Sequence, residues 1–133
     1  MKLLLASNNP KKRAELLQFL ERLEVEVVIP AEVGGLPEVA EDRPTFRENA
    51  AKKAVSAARH SGLWALADDS GLEVDHLDGA PGVRSARWAG SSGDDAANNR
   101  LLAEKMKGVP LRQRGARFVC ALALARSDGS LAA

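Results

Sequence analysis

The chain has few of the residue types on which several common kinds of site depend. Its 133 residues include one cysteine, Cys120, and no tyrosine, and aromatic residues make up 4% of the total. A single cysteine excludes both an internal disulfide and a cysteine-rich zinc site. Because Cys120 lies inside an apolar run, we expect it in the core. So few aromatic rings leave little material for the stacking platforms that bind single-stranded nucleic acid.

Charge and hydropathy give no indication of a nucleic-acid or membrane surface. The formal net charge of +1 provides no bulk electrostatic attraction to either. No apolar stretch approaches the length of a membrane span, and the first residues lack a signal-peptide pattern. Hydrophobic content of 45% and charged content of 28% are typical of a globular domain. We therefore expect one cytoplasmic domain over residues 1–133 that binds neither nucleic acid nor membrane.

Apolar runs and helical periodicity predict the main elements. Strands are predicted over Lys2–Ala6, Val25–Ile29, Leu63–Ala67 and Ala116–Ala125. The last of these is apolar at both parities, so we expect both of its faces to be buried. Helices are predicted from Pro10 to about Arg22 with Leu23 on its apolar face, from a Thr45–Glu48 capping box to about His60, and from about Asp95 to Lys107. The polar stretch Ser91–Asp95 predicts a loop before the third helix.

Two adjacent carboxylates, Asp68 and Asp69, follow the third predicted strand, and Ser70 and Gly71 then predict a turn. Open α/β sheets bind ligands at the carboxyl ends of their strands. Because neighbouring acids repel, the pKa of one should rise unless a cation lies between them. Magnesium suits such a pair, since it takes a few carboxylates together with substrate phosphates. An ordinary solvated turn is the alternative.

The start of the first helix carries cations where helices normally place acids. Asn8 or Asn9 is predicted as the N-cap and Pro10 as the first helical residue, followed at once by Lys11, Lys12 and Arg13. A bound phosphate would reverse the unfavourable interaction with the helix dipole, because the exposed N–H groups and the lysines would converge on it. A solvated basic turn is the alternative. The pattern is not a Walker loop, since its glycines are missing.

Two further features have both a functional and an ordinary interpretation. Lys53, one turn after Asn49 on the second helix, either reaches a phosphate or is a surface lysine. The loop from Ala31 to Pro44 contains Glu38, Glu41 and Asp42, which either complete a cation site or are simply solvated. The residues themselves leave open which of these acids would hold the cation.

Four motifs occur together in one order: Ser7–Lys12, Thr45–Ala50 followed by Lys53 and Ala54, Ala67–Leu72, and Gly79–Val83 followed by Ser85–Arg87. Over essentially the whole chain they resemble the inosine-triphosphate pyrophosphatase family, the XTP/dITP diphosphatases. The resemblance implies an α/β fold in which a twisted mixed sheet with flanking helices forms a cleft between two lobes, the second incomplete here. It also implies a homodimer that hydrolyses noncanonical purine nucleoside triphosphates (ITP, dITP, XTP) to monophosphate and pyrophosphate with Mg²⁺, as nucleotide-pool house-cleaning.

The resemblance also implies a role for each residue of the site. Asp69 would be the general base or the metal-held carboxylate that orients water, and Asp68 would support it. Glu41 would be the second metal ligand, with Glu38 as the alternative. The triphosphate would be held by Ser7, Asn8, Asn9, Pro10, Lys11, Lys12 and Lys53, and Ser70 would touch the substrate.

The chain departs from the family pattern in two ways. Arg84 and Trp88 stand where the family usually has tyrosines. The late segments with which the family grips the purine are missing, so we expect weak base selectivity and feeble hydrolysis. An incomplete chain that binds nucleotide without turnover, as a binding or assembly module, is one alternative. A phosphoacceptor signalling domain is another, but its acid pair would follow the first strand. The apolar edge of the last strand predicts self-association.

Overall fold

The computed structural model describes residues 1–90 and 93–133. In these residues the chain forms four strands and three α-helices, in the order β1 (Lys2–Leu5), α1 (Pro10–Leu20), β2 (Glu26–Val28), α2 (Phe46–Ser61), β3 (Trp64–Val74), α3 (Asp95–Lys105) and β4 (Ala116–Ala125). Ser91 and Ser92, the first residues of the predicted loop before α3, lie outside the described residues. None of the described helices combines the length and apolar character needed to cross a lipid bilayer.

The strands form one sheet in the order β2-β1-β3-β4. β1 runs parallel to β2, with Leu3 opposite Val27, and parallel to β3, with Leu4 opposite Ala65. The sheet is mixed and has helices beside it, which confirms the predicted α/β class.

The chain divides into two compact units, of which the first contains Met1–Asp42, Arg47–Asp69 and Ala121–Ala133. Its core is built largely from small side chains, and α2 supplies a stripe of fully or almost fully buried alanines: Ala50, Ala54, Ala57 and Ala58. Alanine is the strongest helix former, so this stripe favours the helix and provides its packing face at once. Gly62, with φ of +71°, follows the last residue of α2 and ends the helix.

The second unit contains Arg43–Phe46 and Ser70–Cys120. Its core cluster consists of Val74, Met106 and Val109, with Leu72, Leu77 and Leu102 packed against it. Asp94 caps the N-terminus of α3, because one of its carboxylate oxygens accepts the N–H of Ala97 at 3.0 Å.

The first helix is shorter than predicted and packs less tightly. It ends at Leu20, two residues before Arg22, and none of its residues is buried. Leu16 and Leu20 are half-buried, whereas Leu23 is 57% exposed because it lies beyond the end of the helix. The prediction that Leu23 continues the packing face is therefore wrong.

The third strand is longer than predicted, and the turn at Ser70 and Gly71 is wrong. β3 runs unbroken through both residues to Val74. Asp, Ser and Gly favour turns locally, but distant partners keep this segment extended. One of them is Ser85, whose Oγ accepts the N–H of Leu72 at 2.9 Å.

The fourth strand has the predicted bounds, but the prediction that both of its faces are buried is wrong. Successive side chains of a strand point to opposite faces. Ala123 and Ala125 are buried on one face, whereas Phe118 is 85% and Leu122 54% exposed on the other. Cys120, predicted in the core, is exposed with them. Because an apolar run carries no period, its sequence does not distinguish a covered face from an open one.

Candidate active site

Asn9 is the N-cap of α1, which decides between the two asparagines that the sequence left open. Its Oδ1 accepts the N–H of Lys11 at 3.0 Å and that of Lys12 at 3.3 Å. Its own N–H donates to Ser7 Oγ at 3.2 Å, and Pro10 fills the first helical position, where no N–H is needed. These first-turn N–H groups are therefore already hydrogen-bonded, contrary to the expectation that they are open to phosphate.

The two acids of β3 face different helices, because neighbouring side chains of a strand point to opposite faces. Asp68 Oδ2 lies 2.9 Å from Nζ of Lys12 on α1. Asp69 Oδ1 lies 3.9 Å from Nζ of Lys53 on α2. Each acid therefore has a lysine of its own, and the expectation of one cation shared between neighbouring acids does not fit this extended strand.

Asp69 is a buried carboxylate with a raised pKa. Only 5% of the residue is exposed, and its Oδ2 is buried without a hydrogen-bond partner among the described residues. Burial raises the pKa of Asp69, and the charge of Glu41 raises it further. Lys53, a hydrogen bond from Asn49 and Lys12 oppose this rise. The like charge that acts on Asp69 is thus that of Glu41.

The loop before α2 presents Glu41 to the site. Its carboxylate lies 2.9 Å from Nζ of Lys53, and both side chains are largely shielded from solvent, with 30% and 21% exposed. Lys52 secures the same loop through the Ala40 carbonyl at 2.9 Å and the Asp42 carboxylate at 2.8 Å. Glu38 is solvent-exposed. Of the two candidates that the sequence left open, Glu41 is the one beside Asp69 and Lys53.

Asn49 is a partner of Asp69 to which the sequence gave no role. Its side chain is fully buried, and it hydrogen-bonds to the Asp69 carboxylate, which lowers the pKa of that group. The signal in the sequence was the spacing of four residues between Asn49 and Lys53, which places both on one face of α2. A buried amide on that face must hydrogen-bond to a polar group, and Asp69 is that group.

The carboxylates of the site have the chemistry that a magnesium ion requires. No group of three or more His, Cys, Asp or Glu residues in 1–90 and 93–133 forms a ready-made metal cage. Magnesium does not need one, since it is held by one or two carboxylates together with waters and substrate phosphates. Asp69, whose buried Oδ2 has no hydrogen-bond partner within residues 1–90 and 93–133, and Glu41, whose charge acts on it, supply oxygen donors of the right chemistry, so the residues present fit the ion.

The remaining predicted residues lie around this pair with less burial. Asn8, Pro10 and Lys11 are exposed at the start of α1, and Ser7 is half-buried. Ser70 is half-buried in β3 directly after Asp69. The structure thus brings Lys12 to Asp68 and Lys53 to Asp69 and Glu41, while the other residues of the predicted phosphate site have local or solvent contacts.

Known proteins resemble this chain along its whole length. The model of the Ham1 family matches residues 3–132. A dITP/XTP pyrophosphatase of Desulforamulus reducens is 52% identical over 131 residues, covering 98% of this chain and 65% of the relative. A dITP/XTP pyrophosphatase of Corynebacterium efficiens is 52% identical over 132 residues, covering 97% of this chain and 64% of the relative. The chain thus spans just under two thirds of the length of these relatives.

Solved structures agree with the sequence match. The crystal structure of a nucleoside-triphosphatase, or dITP/XTP pyrophosphatase, from Mycobacterium abscessus superposes with a TM-score of 0.82 at 47% identity, covering 99% of this chain and 69% of that one. A HAM1 protein from Coxiella burnetii gives a TM-score of 0.87 at 38% identity, covering 98% of this chain and 66% of that one. The resemblance found in the four sequence motifs is confirmed, and the chain belongs to the Ham1 family.

Proposed function

We propose that this chain hydrolyses noncanonical purine nucleoside triphosphates, ITP, dITP and XTP, to the monophosphate and pyrophosphate. The names of its relatives support the substrate and the reaction. The proposal for this chain rests on the environment of Asp69, a buried carboxylate whose Oδ2 has no hydrogen-bond partner among the described residues. The charge of a second acid, Glu41, acts on it, and Nζ of Lys53 lies 3.9 Å from its Oδ1. Such a site offers a proton acceptor and positive charge together, which phosphate hydrolysis requires.

In this proposal Asp69 accepts a proton from the attacking water. A carboxylate with a raised pKa is a stronger base than an ordinary one. Among the described residues, no hydrogen bond to Asp69 Oδ2 would have to be displaced by a water. The water oxygen forms a new bond to phosphorus, the link between the α and β phosphates breaks, and pyrophosphate leaves. Asn49 holds the side chain from the buried side.

Asp69 and Glu41 would also hold Mg²⁺, with Asp68 as the neighbouring acid. When bound, the ion would neutralise the phosphate charge and polarise the bond that breaks. Lys12 and Lys53 supply fixed positive charge for the triphosphate. In the free protein these lysines are paired with Asp68 and Glu41, so each has to exchange a carboxylate for a phosphate oxygen. Ser7, Asn8, Asn9, Pro10 and Lys11 at the start of α1, together with Ser70, would complete the substrate contacts.

The test is to incubate the 133-residue chain with ITP, XTP, ATP and GTP and to identify the first phosphorus-containing product. We expect pyrophosphate, dependent on added Mg²⁺ and abolished by EDTA. Orthophosphate as the first product would contradict the proposal. Tight binding of an α,β-methylene analogue with no turnover of any triphosphate would instead indicate a nucleotide-binding module.

We also propose that the protein is a cytoplasmic homodimer that binds neither nucleic acid nor membrane. The small net charge and the scarcity of aromatic residues support the second part. Sedimentation over a range of concentrations tests the dimer, and gel-shift and vesicle-flotation experiments test the excluded partners. Sedimentation as a monomer throughout would contradict the dimer.

A further inference from the structure

Gly71, two residues after Asp69, has no room for a side chain. A Cβ at this position would meet Ser85 Oγ, the Gly82 carbonyl oxygen at 2.7 Å and Phe46 Cε1 at 3.0 Å. Its backbone is not left-handed, so glycine is required here for space and not for conformation. The part of β3 that follows the acids therefore lies against the turn that contains Gly82 and Ser85.

The hydroxyl of Ser85 holds this contact together. Its Oγ accepts the N–H of Leu72 at 2.9 Å, and its O–H donates to the Gly82 carbonyl at 2.6 Å. The pairing of β3 with β1 reaches only as far as Leu66. Further along the strand, the N–H of Leu72 therefore donates to the Ser85 side chain, whereas such a group would ordinarily donate to a carbonyl of a neighbouring strand.

Asn98 in turn fixes the backbone that carries Ser85. This residue of α3 is 9% exposed, and its Nδ2 donates to the carbonyl oxygens of Ser85 and Ala86, each at 3.2 Å. Its Oδ1 accepts the N–H of Ala89 at 2.8 Å. One buried amide therefore uses both of its polar ends on the same short segment, which holds Ser85 at a defined distance from α3.

We propose that Ser85, fixed by Asn98, is a positioning residue for Asp69. It touches no reacting atom. By holding Leu72, and by confining Gly71, it fixes the course of β3 three residues beyond the carboxylate and thereby the direction in which Asp69 is presented. The inference rests on the proposed function and assigns a purpose to two polar residues that the proposed chemistry does not otherwise use.

The geometry of Asp69 explains why such support is needed. Its neighbours in the strand, Asp68 and Ser70, point to the opposite face and cannot hold it directly. Its Oδ2 has no hydrogen-bond partner among the described residues, so the carboxylate is not fixed by bonds at both oxygens. Catalytic groups have to be held to within about 0.5 Å, which leaves the backbone of β3 as the remaining constraint.

The experiment compares Ser85→Ala with Ser61→Ala. Ser61 is a matched control, because its hydroxyl also donates to a backbone carbonyl, that of Ala57 at 2.7 Å, and accepts a backbone N–H, that of Leu63 at 3.2 Å. Both substitutions remove the same kinds of hydrogen bond beside β3, but Ser61 lies before its first residue. A loss of stability alone would therefore affect both variants alike.

We expect Ser85→Ala to lower kcat for ITP by about tenfold or more, by analogy with the loss seen when hydrogen-bond partners of metal ligands are removed. KM should stay within about twofold, because the lysines that bind phosphate are not disturbed. Ser61→Ala should keep the wild-type kcat. Equal kcat values for the two variants, or a rise in KM without a change in kcat, would overturn the proposal.

Asn98→Asp provides a second variant if Ser85→Ala folds poorly. Aspartate has the shape of asparagine and still accepts the N–H of Ala89, but it cannot donate to the carbonyls of Ser85 and Ala86. We expect kcat to fall in the same direction as in Ser85→Ala, again without a change in KM. An unchanged kcat in this variant would overturn the role given to Asn98.

Amide hydrogen exchange separates this inference from the proposed function, because it requires no turnover. We expect Ser85→Ala to speed exchange at Leu72 and at Asp69 and Ser70, and Ser61→Ala to leave these amides unchanged. Unchanged protection in Ser85→Ala would overturn the positioning role. If the wild-type chain cleaves no nucleotide but the exchange result is as expected, the proposed function fails while the control of the strand by Ser85 stands.

Discussion

The Nζ of Lys53 lies 2.9 Å from a carboxylate oxygen of Glu41, so an ion pair joins α2 to the loop that precedes it beside Asp69. This contact selects Glu41 from the acids of that loop. The pKa of Asp69 is raised first by burial and then by the charge of Glu41, so neutralising Glu41 should remove the second of these causes. It should also leave Lys53 paired with Asp69 but not with Glu41. The Lys53–Glu41 ion pair contributes little to the free energy of unfolding, since both side chains retain contact with solvent. Its importance is that it holds the Glu41 carboxylate beside the site.

Glu41→Gln should therefore weaken the response to magnesium, and Glu38→Gln should not. We expect the first change to lower turnover of ITP by about tenfold or more at limiting Mg²⁺, because the loss of one proposed carboxylate ligand weakens binding of an ion that would stabilise the transition state. Glu38 is exposed and serves as the matched control. Initial rates of pyrophosphate release over a series of Mg²⁺ concentrations give the measurement. If both variants respond alike, Glu41 has no special role.

Lys53→Ala should raise KM for every triphosphate by a similar factor, because the ammonium group is proposed to bind phosphate and not the base. Lys52→Ala is the control on the same helix, since Lys52 pairs with Asp42 and Ala40. We expect at least about a tenfold difference in KM between the two variants, as for a charge-assisted contact of 1.5–3 kcal/mol. Lys12→Ala should behave like Lys53→Ala. A change in preference between ITP and GTP would contradict the phosphate role.

Asp69→Asn should remove turnover while leaving the fold intact. A general base contributes about 10² to 10⁴ to the rate, and an amide cannot accept the proton from water. Asp68→Asn should be milder, because Asp68 pairs with Lys12 at 2.9 Å and does not face α2. Rates are compared with circular dichroism spectra of the three proteins. A rate lost equally in both variants would mean that the two acids share one role.

The same buried carboxylate should destabilise the protein at neutral pH when no metal is present. Because burial raises the pKa of Asp69 above its ordinary 3.8, the folded state takes up a proton at a higher pH than the unfolded state does. The free energy of unfolding should therefore fall as pH rises from 3.8 through the pKa of Asp69 in the folded state. Above that pKa the buried charge destabilises the fold by its full amount. Asp69→Asn should raise Tm at pH 7 in EDTA, and the difference should close as pH falls towards 3.8.

Asp128 is a control of opposite sign for that measurement. Hydrogen bonds from the hydroxyl and the N–H of Ser130 hold the pKa of this exposed carboxyl below its ordinary value. Its charged form therefore favours folding above pH 3.8, and Asp128→Asn should not raise Tm at pH 7. Melting curves of the three proteins from pH 4 to pH 7 give the comparison. A higher Tm for both variants would indicate a general charge effect unrelated to burial.

The sequence predicted the elements well, because helix and strand periods are local signals. The start of α2 after the Thr45–Glu48 capping box and the bounds of β4 were both predicted correctly. The course of β3 could not be predicted from the sequence, because Ser70 and Gly71 favour a turn unless distant residues keep them extended. Ser85, which does so, lies 13 positions from Leu72 along the chain.

For the candidate site, the sequence proposed residues but not how they are arranged in space. The resemblance to a family supplied the acids and lysines, but adjacency in sequence suggested that Asp68 and Asp69 act on one cation. In an extended strand they face different helices, so the acid next to Asp69 in space is Glu41 from a loop. Asn49 was recognised only as a neighbour of Lys53, because a hydrogen bond between a helix and a strand leaves no local pattern.

Phe118 should promote self-association of this chain. It is 85% exposed on β4, which is the last strand in the order of the sheet. Exposed apolar side chains on an edge strand favour pairing with another chain. We expect Phe118→Ser to lower the weight-average mass at high protein concentration, with little change in Tm because the side chain packs against so little.

Leu111→Ser is the matched control for this effect. Leu111 is 87% exposed, as open as Phe118, but it lies in the short turn Leu111–Gln113 and not on a strand. Loss of exposed apolar surface is thus similar in the two variants, while only one of them alters an edge strand. Sedimentation of wild type and both variants at several concentrations decides the matter. If Leu111→Ser disperses the protein as well as Phe118→Ser does, general hydrophobicity and not the strand edge drives association. A wild-type chain that stays monomeric at every concentration would contradict the prediction of self-association itself.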